Sequence, residues 1–248
     1  MSTQSRIEWT EQTWNPTTGC TKISPGCKNC YAEVMAGRLR AMGAPGYENG
    51  FELSLLPERL KQPLVRKKPT TYFVNSMSDL FHEGVPDEFL DRVFDVIRKT
   101  PQHTYQILTK RAERLPQYFG TRNCPQNVWL GVSVEDRQYG VPRIAYLRRV
   151  NAQIRFLSVE PLLEDVGKLD LRGIHWVIVG GESGHHARPM REEWVAAVKA
   201  QADAAGSAFF FKQWGGWGAD GVKRNKKSNG RVFRGCTWDA YPAAQVAC

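Results

Sequence analysis

Residues 127–136 read NVWLGVSVED, an apolar run that ends in a polar cluster. The run shows no apolar–polar alternation, as expected for a strand covered on both faces in a parallel sheet. The same layout recurs on either side of it. TYFVNS (71–76), TYQILT (104–109), IRFLSV (154–159), HWVIVG (175–180) and AFFFKQ (208–213) are short runs of aliphatic, aromatic and β-branched residues. Their starts lie roughly 20–35 residues apart, the spacing of strand–helix units. The segments between them carry helical periodicity. Asp87–Thr100 places Leu90, Val93, Phe94 and Ile97 on one stripe, with Pro86 before it and Pro101 after it. Arg191–Ala205 places Trp194, Val195 and Val198 on one face and stops at Gly206. Tyr31–Met42 places Val34, Met35 and Leu39 on one face and stops at Gly43.

With a short leading strand near Ile7–Trp14, these units predict an α/β fold: a partial parallel (β/α) barrel of about six or seven units, with a doubly wound sheet as the main alternative. In both folds, function gathers at the carboxyl ends of the strands. The residues there are polar or charged at nearly every strand: Asn75, Ser76, Ser78 and Asp79; Thr109, Lys110 and Arg111; Ser133, Glu135 and Asp136; Ser158 and Glu160; Glu182 and Ser183; Lys212, Gln213 and Trp214. Some polar residues at such ends simply cap helices. The barrel is expected to occupy residues 1–217, and residues 218–248 form a basic extension packed on or flanking it. Gly43–Lys68, rich in Gly and Pro, reads as an insertion or long loop.

A chain of 248 residues is long enough for a substantial core. Hydrophobic content of 42% and charged content of 24% are ordinary for a folded protein. No apolar run approaches the roughly 18 residues that a bilayer span requires, so no membrane association is expected. The stretch MSTQSRIEWTEQ lacks the layout of a secretory signal, which points to a cytoplasmic setting and reduced thiols. The net charge is +9, and such an excess attracts polyanions, nucleic acid above all. It concentrates in Arg59–Lys68, with five basic residues, and in Lys223–Arg234, with six. Arg148, Arg149 and Arg155 form a looser group.

Upstream of the strand units, WNPTTGCTKISPGCKNCYAE (14–33) carries Cys20, Cys27 and Cys30 in a C-x6-C-x2-C pattern. Ser24, Pro25 and Gly26 turn the chain so that the thiols can converge. A structural zinc site normally closes its shell with four ligands, whereas an iron–sulfur cluster can leave one iron for an exogenous ligand. Spacing alone leaves both metals open. The helix of Tyr31–Met42 follows the third cysteine directly.

A three-cysteine loop followed by βα repeats resembles the radical S-adenosylmethionine superfamily. More closely, the cysteine loop together with YFVNSMSDLFH, ILTKR, LGVSVED, FLSVEPLL and VIVGGESG, spanning roughly residues 8–217, resembles a phage-associated family of uncharacterised three-cysteine-motif proteins. The superfamily resemblance implies a barrel of that type and a 4Fe–4S cluster held by Cys20, Cys27 and Cys30. S-adenosylmethionine would chelate the remaining iron, and one electron from the cluster would release a 5′-deoxyadenosyl radical that abstracts hydrogen from a substrate. The electron would come from an external donor such as flavodoxin or ferredoxin.

Ser76, Ser78 or Asp79 would then meet the cofactor's ammonium, Lys110 its carboxylate, and Ser133 and Glu135 its ribose, an order similar to the spore photoproduct lyase branch. Two features depart from the superfamily pattern. Its common spacing is C-x3-C-x2-C, and the residue before its last cysteine is often aromatic, whereas here that residue is Asn29, with Tyr31 as a substitute.

GGES (180–183) follows a late strand and is not equated with the superfamily's amine-binding GGE motif, which follows an early one. Gly180 and Gly181 permit close approach of a ligand, and Glu182, Ser183, His185 and His186 would face adenine or substrate. Glu182 is a catalytic candidate. Cys236 is a candidate hydrogen-atom donor, as one cysteine is in the lyase branch. Trp214 and Trp217 either stack on bases or close the end of the barrel. No P-loop and no nucleophile elbow is present.

The sequence therefore points to a radical S-adenosylmethionine enzyme acting on nucleic acid, in base repair or modification. The alternative is an iron–sulfur- or zinc-stabilised nucleic-acid-binding module without radical catalysis, working with a partner protein.

Overall fold

The computed structural model describes residue 5 and residues 7–242. Its strands are β1 (Gln12–Trp14), β2 (Thr17–Thr18), β3 (Ser54–Leu55), β4 (Thr71–Val74), β5 (Thr104–Thr109), β6 (Val128–Ser133), β7 (Ile154–Val159), β8 (Trp176–Gly180) and β9 (Ala208–Gln213). The helices are α1 (Tyr31–Ala41), α2 (Asp87–Lys99), α3 (Arg114–Phe119), α4 (Arg143–Arg148), α5 (Glu192–Ala204) and α6 (Lys226–Asn229). Seven strands form one sheet in the order β1-β4-β5-β6-β7-β8-β9. The pairs β1–β4, β4–β5, β7–β8 and β8–β9 are parallel. Strands that neighbour each other in chain order, all but β7 and β8 with a helix between them, make this the partial parallel (β/α) barrel expected from the sequence. No helix among the described residues is long and apolar enough to cross a membrane.

The chain packs as two compact units. The first comprises Met1–Ile23, Cys30–Leu130 and Val150–Gln153, and the second Ser24–Asn29, Gly131–Arg149 and Ile154–Cys248. In the first, α2 buries Leu90, Val93, Phe94 and Ile97, the stripe its sequence spacing defines. Each such side chain contributes about 1.5–3 kcal/mol through burial. Asp87 and Glu88 lie in the first turn of α2, and Arg98 and Lys99 in the last, matching the helix dipole. Thr100 Oγ1 donates to the Val96 carbonyl at 2.7 Å, and Asn127 Nδ2 donates to the carbonyls of Ile97, Thr100 and His103. These bonds fix where the helix ends and β5 begins.

In the second unit, residues 238–240 run alongside β9, an outer strand of the sheet. The Phe211 N–H donates to the Trp238 carbonyl, the Ala240 N–H donates to the Phe209 carbonyl, and Trp176 Nε1 donates to the Ala240 carbonyl. Phe233 is fully buried beside Phe211 and Trp214. An uncovered edge strand would offer a row of unpaired amides to other chains, and this segment removes that hazard.

Four expectations change. The leading strand begins only at Gln12, because Ile7–Thr10 forms a turn closed by Thr10 N–H donating to the Ile7 carbonyl. Gly43–Lys68 is not structureless: β3 within it pairs antiparallel with β2, and Pro57–Lys61 is a 3-10 helix. Helix α1 buries Ala32 and Ala36, whereas Val34 and Met35 are exposed. Ala32 and Ala36 pack with Tyr47 and Met77, and of the expected face only Leu39 joins them, part-buried.

Gly180 and Gly181 are closely approached by the chain itself. A Cβ on Gly181 would collide with the Trp214 carbonyl oxygen, and one on Gly180 would stand 2.7 Å from Glu160 Oε2. Their small size serves packing of the chain on itself. Gly181→Ala is therefore expected to destabilise the protein by about 1–3 kcal/mol in urea unfolding, through forced backbone movement. An unchanged midpoint would show that the approach is relaxed at little cost.

Candidate metal and cofactor site

In the first unit, Gly19 sets the entry to the cysteine loop. Its φ is +78°, and a Cβ there would collide with the Glu52 carbonyl, so no side chain fits. The Cys20 N–H donates to the Phe51 carbonyl, and Cys20 Sγ receives Arg111 Nη1 at 3.4 Å. Arg111 is itself clamped: it donates to Glu83 at 2.6 Å, to Asp79 at 3.3 Å, and to both the carbonyl and the hydroxyl of Thr21. His82 Nδ1 accepts from the Gly84 N–H, so the proton lies on Nε2, which donates to Thr21 Oγ1 at 2.9 Å. Burial and the nearby guanidinium of Arg111 hold His82 below its usual pKa, consistent with this neutral ring.

Asp79 is buried, and both of its carboxylate oxygens are engaged. Oδ1 accepts from Phe81 N–H and Thr109 Oγ1, and Oδ2 from Lys110 N–H and Arg111. It thus fixes the carboxyl end of β5 and aims Arg111. Ser78 Oγ donates to the Thr17 carbonyl and lies 2.7 Å from Thr17 Oγ1, which also accepts from Asn75 Nδ2. Ser76 Oγ donates to Asn15 Oδ1, and the Ser76 carbonyl accepts from the Tyr31 hydroxyl at 2.5 Å. Lys110 is half-buried at the end of β5. Cys30 is the residue before α1 and packs beside Ala32, Ala36, Tyr47 and Met77.

In the second unit, Pro25–Cys27 forms a 3-10 turn, closed by Cys27 N–H donating to the Ser24 carbonyl. Ser24 Oγ lies 3.7 Å from Cys27 Sγ and also hydrogen bonds to Glu135. Glu135 is completely buried, and Arg143 bridges it to the Ser133 carbonyl with bonds of 2.5 and 2.8 Å. Glu182 accepts from Asn29 Nδ2 and from the backbone and side chain of Arg188. Arg188 also donates to the Pro25 carbonyl, and Asn29 to that of His186. Glu182 thereby acts as a clasp on the Ser24–Asn29 turn. Burial opposes ionisation of Glu182, but the bonds from Arg188 and Asn29 outweigh it and hold its carboxyl below the usual range.

The remaining candidates have plain structural surroundings. Trp214 is buried and donates to the Val232 carbonyl, and Trp217 donates to that of Ala187. The His185 and His186 rings meet edge to face. Ser183 Oγ accepts from Gln213 Nε2. Cys236 is exposed in a tight turn after Phe233, and Cys248 lies outside the described residues.

Among the described residues, no three or more His, Cys, Asp or Glu side chains are gathered so as to hold a metal ion. The donor chemistry of the loop nonetheless fits an iron–sulfur cluster. Cys20, Cys27 and Cys30 are part-exposed thiols outside any disulfide, with a guanidinium and a hydroxyl beside two of the sulfurs. Arg111 is legible in the sequence as a strand-end cation but its contact with sulfur is not, and Arg188 carries no sequence signal at all. Neither contact has a local signature, since the partners lie 91 and 163 residues apart.

Residues 4–242 match a family model described as a protein of unknown function, DUF5131, and the chain belongs to that family. No curated protein matches it. Among solved structures, it is similar to a tyrosine-to-phenylalanine variant of spore photoproduct lyase, with a TM-score of 0.51 and 11% identity over 86% of this chain and 79% of that one. A second spore photoproduct lyase structure, with dinucleoside spore photoproduct, gives a TM-score of 0.48 and 14% identity over 82% of this chain. This chain spans 63% and 58% of the length of two of these lyase chains. At such identities the likeness is one of fold.

Two outcomes are expected. Removing charge from Glu182, by Glu182→Gln, should cost about 1–3 kcal/mol near neutral pH. A carboxyl with a lowered folded-state pKa contributes stability above about pH 4.3 and loses it as pH falls through the native value, so the gap between variant and wild type should close in acid. A gap independent of pH would show that the charge does not hold the turn. Burial pushes the Cys124 thiol up to about 12, so in peptide-mapped alkylation at pH 8 it should react far more slowly than exposed Cys236.

Proposed function

We propose that the protein is a radical S-adenosylmethionine enzyme that acts on nucleic acid, in base repair or modification. The observation that carries this reading is the three-thiol loop feeding a helix on a parallel (β/α) sheet, with a guanidinium directed at Cys20 by a buried carboxylate. The resemblance of the motifs to the superfamily supports it, as does the fold shared with spore photoproduct lyase. Cys20, Cys27 and Cys30 would hold a 4Fe–4S cluster. Together with S-adenosylmethionine, that cluster supplies the one-electron cleavage that yields a 5′-deoxyadenosyl radical.

The chain's own residues have distinct tasks in this reading. Arg111 offsets negative charge at the Cys20 sulfur, and Asp79 and Glu83 keep it there. Because both oxygens of Asp79 are engaged, its part is positioning, and Ser76 and Ser78 are the better candidates for the cofactor's ammonium. Lys110, a cation at the end of β5, suits its carboxylate, and Ser133 suits a ribose hydroxyl. Glu135 is tied to Arg143 and Ser24, so it holds the Cys27 turn, and Glu182 does the same through Arg188 and Asn29. Cys236, an exposed thiol, remains the candidate hydrogen-atom donor. An external flavodoxin- or ferredoxin-type donor would supply the electron, and a phage setting would suit a base-modifying activity.

Anaerobic reconstitution with iron and sulfide, followed by dithionite and S-adenosylmethionine, should give 5′-deoxyadenosine by mass spectrometry. Cys20→Ala, Cys27→Ala and Cys30→Ala should each abolish it, while Cys236→Ala should not. Reconstitution should also protect the three loop thiols from alkylation. Zinc in place of iron and sulfide, or a fully loaded 4Fe–4S protein without 5′-deoxyadenosine, would overturn this reading in favour of a metal-stabilised binding module.

A further inference from the structure

The three basic groups of the sequence have different fates in the fold. In the tail run, the three arginines Arg224, Arg231 and Arg234 meet the carboxylates of Asp220, Asp239 and Glu192 respectively, Lys223 donates to the His185 carbonyl, and Lys227 is exposed. Arg148 pairs with Asp170, which Arg172 shares. The Arg59–Lys68 run differs: it lines a cavity of about 820 Å³ in the first unit, beside the outer strand β1. Arg59, Arg66, Lys67 and Lys68 contribute to its wall, and no Asp or Glu is among the residues that line it. Of the acids close by, Glu58 reaches Arg59 at 3.9 Å, and Glu11 accepts from the Thr71 N–H.

The wall is built rather than loose. Buried His103 holds the carbonyls of Pro63 and Arg66 through Nε2, at 3.2 and 2.9 Å. Arg66 Nε donates to Thr70 Oγ1 at 2.6 Å, and Arg59 donates to the carbonyls of Asn15 and Pro45. The cations are therefore presented on a fixed frame, which lowers the ordering cost of binding. Lys67 and Lys68 are exposed.

From this geometry we propose that the cavity is a binding groove for the phosphate backbone of a nucleic-acid strand. Its volume falls within the roughly 300–1,000 Å³ of small-ligand pockets, large enough for a nucleotide segment. Four cations along a wall that carries no carboxylate call for several phosphates rather than one. Gln12 and Tyr72, both buried, are among the lining residues. The choice of nucleic acid among polyanions rests on the function proposed above. Binding is read without cluster or cofactor, so its failure is distinguishable from failure of the radical reading.

The test is fluorescence anisotropy of the full chain with a labelled 12-nucleotide single strand at 50 and 200 mM salt. Lys67→Ala/Lys68→Ala is expected to weaken binding about tenfold at the lower salt and to reduce the salt slope by ~1.4, two contacts' worth. Arg231→Ala/Arg234→Ala, which removes paired tail cations, should leave affinity within about twofold. A methylphosphonate strand of the same sequence should bind far less. Unchanged affinity in the groove variant, loss confined to the tail variant, equal binding of the neutral strand, or no binding by the wild type would each overturn the proposal.

Discussion

A buried ion pair at the end of β4 and β5 organises the first half of the molecule. The carboxylate of Asp79 and the guanidinium of Arg111 each leave only 9% of their side chain to solvent. Removing two charges from water costs several kcal/mol per ion, and attraction offsets this only when the remaining donors and acceptors are also satisfied. Here they are. Asp79 takes two backbone N–H groups and the Thr109 hydroxyl besides Arg111, and Arg111 adds Glu83 and Thr21. The pair holds two strand ends and the start of the cysteine loop in one register. One guanidinium nitrogen then faces the sulfur of Cys20.

The second unit solves the same problem with different residues. Its segment of the loop, Ser24–Asn29, is short and contains Pro25 and Gly26, so it has little internal structure beyond one 3-10 turn. Two buried carboxylates supply the order: Glu135, balanced by Arg143, and Glu182, balanced by Arg188. Both began as candidates for contact with cofactor or substrate. Their oxygens instead hold backbone and side chains around the cysteine turn, a positioning role that a strand-end carboxylate fulfils as readily as a catalytic one.

Most strands were legible because buried parallel strands show as uninterrupted apolar runs. TYQILT, IRFLSV and AFFFKQ coincide with β5, β7 and β9 residue for residue. Helix α2 was equally clear, since its stripe is wide and its ends carry Pro86 and Pro101. Helix α1 misled because periodicity reports an apolar face without saying what stands opposite it. Tyr47 and Met77 receive Ala32 and Ala36, with Leu39 part-buried beside them, and that packing depends on residues well beyond the helix itself. The glycines of GGES misled in the same way: a missing side chain marks a close approach, but not of what.

The amino-acid sequence alone determined the class of fold, the run of three cysteines and the sign of the charge, because periodicity, spacing and composition are properties of neighbouring residues. Tertiary structure alone decided which polar groups are already engaged and which cations gather around a cavity. It paired Arg224, Arg231 and Arg234 with acids and set Arg59, Arg66, Lys67 and Lys68 along one wall. It also brought Arg111 to Cys20 across 91 residues. Charge compensation and hydrogen-bond satisfaction act over a few ångströms of space, and only the folded chain sets those distances.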